Sequence, residues 1–262
     1  MIETRLAAAI PAAAFFMLAS FDLAAEDGTP SLSWSSGLEY ASGTYGGDAD
    51  IEDLYLPVTI GLDFERVSLD LTVPYLAVRA PGGTTITDPG GDPLPGSGDM
   101  VTESGLGDVI AGITIYDVVY SRDLGLALDI AGRVKFGTAD VDKGLGTGET
   151  DFTLRADLYK YLADFTLLGS LGYKFRGDPA DLDLEDVLIG SVGAIYHAND
   201  TRSMGLILDY REASIADNDA VSELSAFVSH EFNDAWSVQF YVFTGFTDSS
   251  SDWGGGFLLT AS

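Results

Sequence analysis

The sequence predicts an all-β protein: a transmembrane, antiparallel, up-and-down β-barrel of about twelve strands. Three observations carry this reading. Apolar and polar residues alternate with a period of two down nearly the whole chain. No amphipathic helix is available to cover the apolar faces that this alternation creates. The connections between the alternating runs are short and long in turn. A period of two gives each strand one greasy and one polar face. With no helix to cover the greasy faces, lipid is the simplest solvent for them.

The expected strands follow in order. The first, 31–42, brings Tyr40 to its outer end. The second, 53–64, is the clearest: Leu54, Leu56, Val58, Ile60, Leu62 and Phe64 alternate with Tyr55, Pro57, Thr59, Gly61 and Asp63. The chain reverses at Glu65-Arg66. In the third strand, 67–78, Val67, Leu69, Leu71, Val73 and Tyr75 interleave with Ser68, Asp70, Thr72 and Pro74. The fourth, 106–117, and fifth, 125–136, turn Val109 and Ile113, then Leu128 and Ile130, to lipid. The sixth, 151–159, alternates Phe152, Leu154, Ala156 and Leu158. The seventh, 165–176, puts Leu167 outward, and the eighth, 186–196, closes on Tyr196. The ninth, 203–212, puts Leu206 and Leu208 outward. The tenth, 221–232, ends on Phe232, and the eleventh, 236–247, opens on Trp236. The last begins near Asp252 and runs to the C-terminus. Each is close to the roughly 9–11 residues a tilted strand needs to cross a bilayer.

Segments 65–66, 118–124, 160–164, 197–202 and 233–235 are the short turns; 43–52, 79–105, 137–150, 177–185, 213–220 and 248–251 are the longer loops. Short periplasmic turns and longer outer loops are the outer-membrane convention, and both ends of the barrel then lie in the periplasm. The longest loop, 79–105, is rich in Gly and Pro and reads as a mobile surface loop or as a plug folded into the mouth. Aromatic residues gather at the strand ends. Phe64, Tyr120, Tyr159, Tyr161, Tyr196, Phe232 and Trp236 fall near the periplasmic rim; Tyr40, Phe152, Tyr173, Phe175, Tyr210, Phe246 and Trp253 fall near the outer one. Two girdles are expected because amphipathic rings prefer the headgroup level.

The N-terminus reads as a secretory signal over residues 1–25, with the barrel occupying 26–262. Arg5 is a thin basic start, 6–19 the apolar stretch, and Leu23-Ala24-Ala25 the small-residue cleavage site before Glu26. The chain has no cysteine, so it carries neither a disulfide framework nor a thiolate metal site. A net charge of −28 argues against nucleic acid as a partner. No cofactor is expected.

The few cations are unevenly placed. Arg66, Arg122, Lys160 and Arg202 fall in periplasmic turns. Strand parity and direction put Arg133, Lys135, Arg155, Lys174, Arg176 and Arg211 inside the barrel, in its outer half, as one lumenal wall. Two readings of this wall are open. In the first, the cations pair with Asp129, Asp157 and Asp209 and fill a narrow polar interior. In the second, they face Asp108 and Glu223 and orient a polar or anionic solute. Only Arg79 and Lys143 are left for the outer loops, which carry Asp48, Asp50, Asp92, Asp99, Asp140, Asp142, Asp181, Asp183, Asp217, Asp219 and Asp248. Those acids solvate the surface, or hold divalent cations that bridge to lipopolysaccharide. The densest group, from Asp181 to Asp186, lacks the ligand spacing of an EF-hand.

Catalytic signals are weak, and no enzyme is expected. Lys143-Gly144-Leu145-Gly146-Thr147-Gly148 looks like a phosphate loop, but a strand follows it and not a helix N-terminus, so it reads as a hairpin loop. His197 lies in a turn. His230 follows Ser229 directly, so the two point to opposite faces and form no dyad.

Several motifs resemble one family. They are Gly105-Leu106-Gly107-Asp108-Val109, Lys135-Phe136-Gly137-Thr138-Ala139-Asp140, Lys143 to Asp151, Gly245-Phe246-Thr247-Asp248 and Asp252-Trp253-Gly254. Together they resemble the transporters named for the MetA pathway of phenol degradation, outer-membrane barrels related in style to long-chain fatty-acid transporters. The resemblance spans about Gly105 to the C-terminus. It implies passage of small, often hydrophobic or aromatic compounds across the outer membrane. The leading expectation is therefore a passive, monomeric channel for small organic solutes, in contact with membrane lipid and lipopolysaccharide. The alternative is a closed structural or surface barrel with acidic, cation-binding loops. A soluble ligand-binding barrel is disfavoured by the greasy outward face of Leu54 to Phe64.

Overall fold

A computed structural model describes residues 30–180, 182–216 and 218–262. The expected signal segment and the loop acids Asp181 and Asp217 lie outside the described residues. The described residues form a closed antiparallel barrel of twelve staves, as expected from the sequence. In order, they are β1 (Ser31–Gly43), β2 (Ile51–Asp63), β3 (Val67–Pro81), a fourth stave built from β6 (Met100–Leu106) and β7 (Val109–Ser121), β8 (Leu126–Phe136), β9 (Asp151–Tyr161), β10 (Phe165–Phe175), β11 (Val187–Asn199), β12 (Arg202–Arg211), β13 (Val221–Asn233), β14 (Trp236–Gly245) and β15 (Trp253–Ala261). Each pairs with its sequence neighbour, and β15 returns to β1 through partners such as Trp34 and Ala261. Between β3 and β6 a two-stranded hairpin, β4 (Thr85–Asp88) and β5 (Gly91–Leu94), forms a small sheet of its own. Among the described residues no helix is long and apolar enough to cross a membrane.

The outward faces are apolar, as strand parity requires. Leu54, Leu56, Val58, Ile60, Ile113, Leu154, Leu167, Leu206 and Leu208 are exposed side chains. Val109, Leu128 and Ile130 are half-buried on the same outward faces. This yields a depth-dependent expectation. Arg in place of Ile130, at mid-strand, should destabilise the barrel by about 2–4 kcal/mol, whereas Arg in place of Leu32, at the rim, should cost about 0–1 kcal/mol. Guanidinium unfolding of the protein in lipid measures both; equal costs would place the lipid boundary elsewhere.

Three expectations are corrected. The fourth strand does not run 106–117 but from Met100 to Ser121, broken at Gly107-Asp108. At the break Asp108 leaves the ladder, and its Oδ1 accepts hydrogen bonds from the backbone N–H groups of Thr138 and Ala139, both at 2.9 Å. Further along, the register slips between Ile115 and Val119, and Asp117 takes a φ of 53°. This bulge leaves Val118, Val119 and Tyr120 all exposed. The alternation fails there, which is why the sequence reads as a turn from 118. Finally, Tyr159 and Tyr161 do not belong to the lipid-facing girdle. They lie on the inward parity of β9, with Asp151, Thr153, Arg155 and Asp157, and stack at 6.4 Å between centroids.

Candidate functional site

Of the expected loop 79–105, both ends extend the barrel strands β3 and β6, and the segment between them, 82–99, folds inward as a plug. The β4–β5 hairpin leaves the barrel at β3, the third stave, and its acids reach Arg211 on β12, the ninth. In a ring of twelve, that is half the circumference, so the hairpin lies across the mouth. Its residues from Ile86 to Gly90 are buried. The repeated Pro-Gly-Gly at 81–83 and 89–91 brackets a four-residue alternation, Thr85-Ile86-Thr87-Asp88. Turn signals on both sides of a short period-two run are the mark of a miniature hairpin; that signal was present in the sequence and passed over.

The hairpin carries two carboxylates to the cations of the wall. Asp88 pairs with Lys174, and its Oδ2 lies 3.4 Å from Nη2 of Arg176. Asp92 Oδ2 lies 2.8 Å from the same Nη2, and Asp92 Oδ1 lies 2.7 Å from Nη2 of Arg211. Asp92 is thus no solvated loop acid: its side chain is only 9% exposed. Burial alone would raise both carboxyls. Arg211 and Arg176 nevertheless hold Asp92 well below the ordinary carboxylate range, and Lys174, Arg176 and Lys135 hold Asp88 down. Lys135 Nζ sits 3.2 Å from Asp108, 3.3 Å from Asp151 and 3.1 Å from the Thr87 carbonyl, so it ties the hairpin to the wall as well. Lys174 also approaches Asp151, at 3.4 Å. The glycine-rich stretch after Lys143 has a packing role: Gly144, at φ 69°, accepts the Ile86 N–H at 2.8 Å, and a side chain there would strike the Thr84 carbonyl. Beside it, Leu145 joins Ile86, Tyr45, Ile51, Leu76 and Val78 in an apolar cluster under the hairpin.

The six cations expected on one wall therefore divide. Lys135, Lys174, Arg176 and Arg211 converge on the hairpin, whereas Arg155 pairs along its own strand with Asp157 at 2.8 Å. Arg133 lies near Asp70, Arg155 and Asp157. Gly112 makes the approach to Asp70 possible: it is the cross-strand partner of both Asp70 and Arg133, and a Cβ there would occupy the space of the Asp70 carboxylate. The acids also have an order of their own. Asp129, Asp157, Ser170, Ser191, Asp209 and Glu223 are successive cross-strand partners from β8 to β13. Ser170 and Ser191 are hydrogen-bonded at 2.6 Å, Asp129 accepts the Asp117 N–H at 2.8 Å, and Glu223 accepts from the N–H and hydroxyl of Ser251. Asp209 keeps one buried oxygen without a hydrogen bond. Because barrel strands tilt, such a row climbs around the wall and does not stay at one depth. Counting residues along each strand cannot reveal this climb; Asp88 escapes sequence reasoning for a different reason, since it reaches the wall only through the fold of the hairpin.

Deeper in the lumen the lining turns apolar. Leu168, Ile195, Ile207 and Phe227 form a buried inward cluster, flanked by Tyr159 and Tyr241. Two inward glycines make room for it. A Cβ at Gly193 would lie 2.8 Å from the Ile207 side chain, and one at Gly205 would lie 2.5 Å from the Phe227 ring. Tyr241 donates to the buried Glu39 at 2.7 Å, across the closing strand β15.

Neither histidine meets a nucleophile-and-acid arrangement. His197 Nε2 bonds Thr166 Oγ1 at 2.8 Å, His230 Nδ1 bonds the Thr201 carbonyl at 3.2 Å, and Ser229 pairs with Ser203. Among the described residues no group of three or more His, Asp or Glu side chains is placed to hold a metal ion.

A closed twelve-stave barrel, greasy outside, with a charged mouth and short turns at the opposite end, defines a bacterial outer-membrane β-barrel protein. Residues 10–262 match the family described as "Putative MetA-pathway of phenol degradation", and the chain belongs to that family. No curated protein matches its sequence. The fold is similar to that of the COG4313 outer membrane channel from Pseudomonas putida F1, with a TM-score of 0.72 and 10% identity over 89% of this chain and 95% of that one. It is also similar to the KdgM porin, at TM-score 0.53 and 8% identity over 88% and 98% of the two chains. For the NanC porin the values are 0.54 and 10%, over 88% and 100%. The structures it resembles are mainly channels and porins.

Proposed function

We propose that the protein is a passive outer-membrane channel for small organic solutes, with no catalytic activity of its own. The observation that carries this is the arrangement along the lumen: an ionised mouth, closed by a loop hairpin and not by the barrel wall, leads to the inward apolar cluster of Leu168, Ile195, Ile207 and Phe227. A purely structural barrel has no need to neutralise four wall cations with a detachable segment, whereas a channel needs a constriction that can give way. The apolar cluster favours solutes with an apolar body, in keeping with the family's association with phenol degradation. Residues 1–25 act as the export signal, the barrel works as a monomer, and the exposed loop acids face the lipopolysaccharide layer. The test is single-channel recording of the refolded protein in planar bilayers. Discrete openings of small, fluctuating conductance are expected. A flat current at every voltage, in the native chain and in one lacking the hairpin, would mean a closed structural barrel.

A further inference from the structure

We infer that the cluster of Lys135, Lys174, Arg176 and Arg211 is a binding site for the carboxylate of an amphipathic organic anion, and that Asp88 and Asp92 of the hairpin occupy it in the solute's place. The inference rests on the channel reading and names its substrate class.

Charge balance is the first argument. With the hairpin in place, the four cations face four acids: Asp88 and Asp92 from the hairpin, Asp108 and Asp151 from the wall. When the hairpin withdraws, two acids leave and two positive charges are uncompensated. Lys174 and the Arg176 side chain are almost wholly buried, at 1% and 0% exposed. Withdrawal exchanges these ion pairs for water, and an anion that takes the hairpin's place restores them, so the open state is favoured by a negative solute. A neutral solute forms no such pairs and gains nothing from the exposed cations.

The second argument concerns donors. Arg176 meets Asp88, Asp92 and Ser214 through Nη2 alone, and its Nε and Nη1 are buried without a hydrogen bond. Nε of Arg211 is in the same position. The hairpin carboxylates therefore satisfy the charge of the guanidinium groups but not their fork of donors. A free carboxylate, unconstrained by a backbone, can engage a guanidinium through two parallel bonds, which is the stronger arrangement. The built-in ligand is thus a poorer one than a mobile carboxylate.

The third argument fixes orientation. Asp209 and Glu223 lie inward of Arg211 on the same face and offer no cation to draw a carboxylate past the mouth. Ile207, four residues inward on the same strand as Arg211 and so about 13 Å away, belongs to the apolar cluster. A solute therefore binds with its carboxylate at the mouth and its apolar body directed down the lumen. The hairpin is suited to leaving: it is joined to the barrel through a neck of glycines, Gly82, Gly83, Gly96 and Gly98, in which Gly83 has a φ of 88°.

The test compares benzoate with benzamide, which share ring and shape but not charge. The protein has no cysteine, so Pro89→Cys, at the buried tip of the hairpin, is a unique reporter, with Pro93→Cys as a second should the first fail to fold. Labelling by a membrane-impermeant maleimide should accelerate about tenfold in millimolar benzoate and not in benzamide, and Arg211→Gln should remove most of that response. Equal acceleration by both probes, or by neither, overturns the carboxylate assignment. Recording from the full chain separates the two levels. A channel that conducts yet treats benzoate and benzamide alike disproves this inference and leaves the channel reading standing. Absence of conductance even without the hairpin overturns both.

Discussion

Deleting residues 84–94 should convert a narrow, fluctuating channel into a steadily open one, with conductance raised several-fold and a preference for anions. The hairpin spans half the ring of staves and fills the mouth with the buried segment from Ile86 to Gly90, so its loss removes the obstruction itself. It also removes Asp88 and Asp92, which leaves Lys135, Lys174, Arg176 and Arg211 against Asp108 and Asp151. A ring with two excess positive charges at a constriction favours anions. Replacing the acids while keeping the hairpin should behave differently. In Asp88→Asn with Asp92→Asn the four cations stay covered but lose their partners, and breaking a buried pair from one side costs about 3–5 kcal/mol. Reversal potentials across a salt gradient and guanidinium unfolding, measured on both variants, separate the outcomes. The deletion should gain conductance, and the double substitution should lose stability while the mouth stays narrow. If the deletion leaves conductance and selectivity unchanged, the obstruction lies deeper.

Truncating Phe227 to Ala should destabilise the barrel by about 3–5 kcal/mol. The ring is 3% exposed and lies over Gly205 of the neighbouring strand, against Ile207, which is fully buried. No neighbour on that side can relax into the gap, because Gly205 has no side chain to move. The same change widens the apolar belt, so the surviving channel should conduct more, with no change in ion preference, since no charge is altered. The converse substitution, Gly205→Leu, overfills the space and should cost about 1–3 kcal/mol with a loss of conductance. Unfolding monitored by tryptophan fluorescence, with single-channel recording of each variant, gives both quantities. A cost below about 1 kcal/mol for Phe227→Ala would mean that the cluster is not packed.

The barrel was legible because its evidence is local. A strand's two faces are written in consecutive residues, as in Leu54 to Phe64, and the lipid-facing positions so derived stand exposed around the wall. The even strand number and the short and long connections followed from where that period stops and restarts. It failed at Asp117, where a bulge puts successive residues on one face, and at Tyr159, where an aromatic near a strand end was assigned by depth when its inward parity with Arg155 and Asp157 decides.

The sequence by itself determined the architecture and the outward faces. Which acid meets which cation was decided only by the tertiary structure. Asp88 and Lys174 are 86 residues apart, and Asp92 meets Arg211 although its hairpin leaves the ring on the side opposite β12. Two features set those meetings, and neither appears along a single strand. One is the tilt that shears each cross-strand row up the wall, carrying Asp209 and Glu223 to a different depth from Asp129. The other is the path of the segment 82–99, whose acids could remain in water or enter the mouth. It enters because the buried cations there need compensating charge, a demand that exists only once the barrel has closed around them.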